Sequence, residues 1–139
     1  MSTREGWQIK ADIQRISAVR SDLVLLRANM EMKKSNIEEG IEDITEIISD
    51  GGAVRTSHEA LEIEDHSRWN GFVHARALDA HENSLTASTT LLELMDAYKV
   101  SLETERDNLS HHITNATQRI AGYDVRLDSL WTEYNNHRM

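Results

Sequence analysis

Ile9, Ile16, Leu23, Met30, Ile37 and Ile44 recur every seven residues. A sustained seven-residue repeat of apolar side chains fits a helix that buries one narrow stripe against a second helix, and it constrains this chain more than any other feature. A neighbouring column reads Ile13, Arg20, Arg27, Lys34, Ile41 and Ile48, apolar at its ends and basic in its middle. The second half repeats the plan. Met95, Leu102, Leu109, Ala116, Tyr123 and Leu130 form one column, and Leu85, Leu92, Lys99, Arg106, Ile113, Ile120, Leu127 and Tyr134 form the other. Composition agrees: with no proline, 5% aromatic and 28% charged residues, the chain suits long helices on narrow seams better than a thick core. At 139 residues it makes one domain.

Between the two heptad runs stand two breaks. The segment "SDGGAVRTS" pairs glycines, which are poor helix formers and good helix stops, so the spacing predicts a first arm over about 7–49 and a joint over 50–56. Thr56 followed three residues later by Glu59 reads as a capping box opening a short helix over about 57–67. Then comes Trp69-Asn70-Gly71, where the Asn-Gly pair is a strong turn signal, and a second arm over about 72–136. The expected fold is therefore all-α: an elongated antiparallel helical hairpin turning at 69–71, with the short third helix near its tip. If the chain reverses at Asn70, residues whose numbers total about 140 lie at one height, and Ile9 then meets Leu130, Ile16 meets Tyr123 and Ile44 meets Met95. The apolar columns align on that basis.

Charge narrows the partners. A net charge of −9 disfavours nucleic acid, whose phosphates are held by lysine and arginine, and disfavours an anionic membrane surface. The N-terminal "MSTREGWQIKADIQ" has no apolar signal region, and no stretch reaches the roughly 18 apolar residues that span a bilayer. Stable membrane insertion is not expected. With zero cysteines, disulfides and thiolate metal sites are excluded. These features suit the cytoplasm, or export by a route without a cleaved signal peptide.

No chemistry-bearing constellation stands out, so the chain reads as non-enzymatic, with no cofactor and no metal. His74 and His81 lie seven apart, His111 and His112 are adjacent, and neither Glu-x-x-His nor His-Glu-x-x-His occurs. Ser57-His58 and Ser110-His111 are sequence neighbours without an oxyanion-hole signature, and Gly51-Gly52 lacks the lysine of a phosphate loop.

What remains is surface for another protein. The basic seam residues Arg20, Arg27, Lys34, Lys99 and Arg106 fit best as long side chains that pair with nearby acids such as Glu31, Glu103 and Asp107. Val19 and Leu26 on the first arm, with Leu91, Leu94 and Tyr98 on the second, widen the apolar surface beyond one seam and are the candidate partner-binding residues. A homodimer, or a partner hairpin completing a four-helix bundle, would cover them.

Trp69, Asn70 and Gly71, placed between two long helices of a small acidic chain and followed by "FVHARALDAHENSL", resemble the WxG superfamily of type VII secretion substrates. The stretch "LLELMDAYKVSLETERDNLSHHITNATQRI" is similar in character to the small helical accessory proteins that accompany LxG-domain toxins. The resemblance implies an adaptor, chaperone or targeting factor. It would bind the helical leader domain of a cognate toxin, alongside a second small helical accessory protein. The family's Tyr-x-x-x-Asp/Glu signal is absent: Tyr98, Tyr123 and Tyr134 are followed four residues later by Leu102, Leu127 and Arg138. Two other readings stand beside it, a structural coiled-coil protein acting by self-assembly and an acidic antitoxin or immunity protein.

Overall fold

A computed structural model describes residues 5–60 and 71–138. Among them the chain is all-α, with α1 over Gly6–Glu59 and α2 over Gly71–Arg138 packed against each other as an antiparallel hairpin. The start of α1 is capped locally. The Glu5 carbonyl accepts from the backbone N–H of Gln8 at 3.0 Å and of Ile9 at 3.2 Å, while the Gln8 side chain accepts from the Glu5 N–H at 2.8 Å. That reciprocal pattern satisfies donors that the first helical turn otherwise leaves open.

The joint expected over residues 50–56 is not there. Helix α1 runs through it to Glu59, because the glycines sit where the seam continues rather than where it stops. Counting on by sevens from Ile44 reaches Gly51 and then His58, and from Ile48 reaches Arg55. Gly51 faces α2 so closely that a Cβ there would stand 2.9 Å from Leu92 Cδ2. A side chain is missing at that point because Leu92 fills the space. Interior glycine costs about 1 kcal/mol of helix propensity, and continued packing along the stripe outweighs it. Nor is Thr56 a cap: its hydroxyl donates to the Gly52 carbonyl at 3.0 Å, the i−4 bond of a threonine inside a helix. Of the short helix expected over 57–67, residues 57–59 are the last of α1, Ala60 is a turn, and 61–67 lie outside the described residues. Trp69 and Asn70 of the expected turn also lie outside them, and Gly71 opens α2.

The helices divide into two compact units, each an antiparallel pair of segments. The first joins α1 up to Asn36 to α2 from Arg106; the second joins α1 from Ile37 to α2 up to Glu105. In the first unit Ile9, Ile13, Ile16 and Leu130 form a buried cluster, with Tyr123, Leu127 and Tyr134 packed against it. Burying each such aliphatic side chain contributes about 1.5–3 kcal/mol. In the second unit Ile44 is the buried apolar residue of α1, and its neighbours on the stripe are half-buried. Its core is thinner. Contacting pairs in either unit have residue numbers that total between 139 and 144, as in His58–His81, Gly6–Tyr134, Gly51–Leu92 and Arg20–Asp124. The spread follows from interdigitation, since each seam side chain sits between two on the facing helix.

Two glycine substitutions separate packing from propensity. Gly52 has nothing within 4 Å of a built Cβ, so Gly52→Ala is expected to raise unfolding stability by about 0.5–1 kcal/mol. Gly51→Ala has the same propensity gain but must displace Leu92, and is expected to gain less or to lose; paired urea unfolding curves would compare them.

Candidate protein-docking surface

The seam positions are called a and d, and the two positions that flank them e and g. In α1 the a column is Ile13, Arg20, Arg27, Lys34, Ile41, Ile48 and Arg55, and the d column runs from Ile9 to His58. In α2 the a column contains Leu92 and Lys99, and the d column Met95 and Leu102. What the flanks carry decides what each unit can bind.

On the e flank three seam arginines of α1 find polar partners on α2. In the first unit Arg20 donates to the Asp124 carboxylate through Nε and, at 3.5 Å, through Nη2, and Arg27 Nη1 donates to Thr117 Oγ1 at 3.4 Å. In the second unit Arg55 Nε donates to Thr89 Oγ1 at 2.8 Å. All three reach from an a position of α1 to an e position of α2. The threonines can accept because their own protons are spent on α2: Thr117 donates to the Ile113 carbonyl at 2.9 Å and Thr89 to the Leu85 carbonyl at 3.0 Å. Neighbouring acids complete the set, with Glu31 3.9 Å from Arg27, Glu59 2.5 Å from Arg55 and Asp107 3.1 Å from Arg106. Local pairing with Glu31 and Asp107 is thus present as the sequence suggested. The cross-helix partners Asp124, Thr117 and Thr89 were not legible until the register was known, although their seven-residue spacing was in view.

The g flank is mixed: Lys33, Glu105, His112, Arg119 and Arg126 stand there, together with large apolar residues that stay exposed. Val19 is 38% exposed and Leu26 51%, both g positions of the first unit; in the second, Leu91 is 58% exposed and Tyr98 60% at g, with Leu94 63% exposed beside them at the outer c position. The five candidates therefore belong to two units rather than to one site. Within the second unit Leu94 and Tyr98 join Ile47, Ile44, Met95 and Gly40 around an open, apolar groove of about 410 Å³, edged by Asp43. Gly40, at a g position, has no side chain to cover it. Ile47, half exposed, was missed by sequence reasoning. Its signal was seven-residue spacing from Val54, which is likewise exposed, and from the gap at Gly40.

Histidines bring little chemistry together. The His58 and His81 rings stack at 4.7 Å with a 35° tilt, and His81 Nδ1 is buried without a hydrogen-bond partner. The described residues contain no group of three or more histidine, aspartate or glutamate side chains placed to hold a metal ion, and no helix among them is long and apolar enough to cross a membrane. No family model, characterised protein or solved structure matches the chain.

The cross-helix pair is open to direct measurement. A double-mutant cycle on Arg20→Ala and Asp124→Ala is expected to give a coupling of about 0.5–1 kcal/mol that shrinks in molar salt, because both side chains are more than a third exposed.

Proposed function

We propose that this protein is a non-enzymatic helical adaptor that binds the helical leader domain of a secreted toxin and assists its type VII export. The observation that carries the reading is the groove of the second unit, where Leu94 and Tyr98 stand exposed around an apolar floor beside exposed Leu91. Large apolar side chains that stay exposed together on a helical surface mark a place where another protein packs. A helix laid along the groove would insert side chains at i, i+3, i+4 and i+7, the mode that suits a helical leader. The Trp-x-Gly placement and the charged heptads of α2 supply the link to type VII accessory proteins. A second small helical protein, or a second copy of this chain, would complete a four-helix arrangement with it. The work is done in the cytoplasm, before export of the toxin.

The test is capture. The full-length chain is co-expressed with the product of each adjacent gene, purified, and the mass of the complex measured. Recovery of a stoichiometric complex with a toxin leader domain is the expected result, and Leu91→Glu with Tyr98→Glu should weaken it by about a hundredfold while far-UV circular dichroism stays unchanged. A defined homo-oligomer that captures no neighbour would leave self-assembly as the function, and undiminished capture by the double variant would remove this groove from the interface.

A further inference from the structure

The first unit has a groove of its own, of about 570 Å³, with a different chemistry. Leu23, Leu26, Met30 and Ala116 give it an apolar floor, His112 and Arg119 stand on its α2 edge, and no carboxylate lines it. That is unexpected in a chain with 24 acidic and 15 basic residues. The α2 edge continues at the same seven-residue spacing, His112, Arg119, Arg126, all exposed g positions. Arg119 and Arg126 also differ from the seam arginines Arg20, Arg27 and Arg55 in lacking an ion-pair partner among the described residues. Their own helix offers none: three and four residues away stand Asn115, Ala116, Gly122, Tyr123, Ser129 and Leu130.

We infer that this groove receives an amphipathic helix of a protein partner whose apolar stripe is flanked by carboxylates. The apolar floor takes leucine-sized side chains of the incoming helix, and glutamates beside its stripe meet Arg119 and Arg126. Arginine suits this role because its planar guanidinium grips a carboxylate through two parallel hydrogen bonds. A polyanion such as nucleic acid fits less well, since it would leave the apolar floor uncovered and face a net charge of −9. The charge match fixes orientation and speeds encounter, while the floor holds the helix. This inference builds on the adaptor reading by naming the chemistry of a partner helix, and it rests on a different groove.

Two fluorescein-labelled helical peptides of roughly 20 residues test it, long enough to hold a helix when bound. Both carry leucines at i, i+3 and i+7; one has glutamate flanking the stripe and the other lysine. Fluorescence anisotropy with the full-length protein should show the glutamate peptide binding about tenfold or more tightly than the lysine peptide, with the difference shrinking as salt rises. Arg119→Glu with Arg126→Glu should abolish or reverse the preference, and Leu26→Glu should weaken both peptides, with helicity retained in each variant. Failure of the glutamate peptide to bind, equal affinity for the two peptides, or a preference unchanged by the arginine substitutions would each overturn the inference. Leu91→Glu with Tyr98→Glu should leave peptide binding intact. Failure of the unaltered protein to capture a toxin leader domain, with an intact peptide preference, would therefore count against the adaptor reading alone, and capture without that preference against this groove alone.

Discussion

The close approach of α1 and α2 along a seven-residue register governs everything else in this protein. Gly51 marks it most sharply, since Leu92 occupies the space a side chain would need there. A seam this narrow buries one stripe per helix, so the positions beside it are left half in solvent and their chemistry becomes the chemistry of the surface. Moving the register by one residue would take both apolar columns out of the seam.

Arginine at seam a positions would be costly if it ended there. It does not, because the long side chain carries its guanidinium past the apolar stripe to the e flank, where Asp124 or a threonine oxygen accepts it. Such pairs are worth little as stability and more as specification, since only one alignment brings Arg20 to Asp124 and Arg55 to Thr89. The g flank mixes exposed apolar residues with Arg119 and Arg126. In the second unit it surrounds a groove containing Ile47, Leu94 and Tyr98; in the first it borders a groove edged by His112 and Arg119. The seam arginines of α1 find partners within the chain on the e side, while the grooves on the g side are open.

Heptad counting was enough to expect two long antiparallel helices and to bring Ile9 and Leu130 into one cluster. The expectation that failed was the break at Gly51-Gly52, where propensity argues for a stop and the stripe argues for continuation. The seven-residue spacing from Ile44 through Gly51 to His58 was already in the sequence, but its weight against two glycines depends on Leu92, a contact across the seam that no local rule sees. The same limit applied to the sites. Exposure of Leu91, Leu94 and Tyr98 followed from their place beside the seam, whereas Ile47 and the arginines without partners became visible only once the facing helix fixed which flank each residue joins.

Nuclear Overhauser contacts across the seam measure the register directly. In a sample with selectively labelled methyl groups, the Leu92 δ-methyl signals should show cross-peaks to the α-protons of Gly51, and the His58 ring protons should show them to the His81 ring. Mixing labelled and unlabelled chains should leave those contacts intramolecular. Cross-peaks from Gly51 to Leu85 or Lys99 instead, one heptad away, or contacts arising only between chains, would contradict the register and with it the pairing of the seam arginines across the helices.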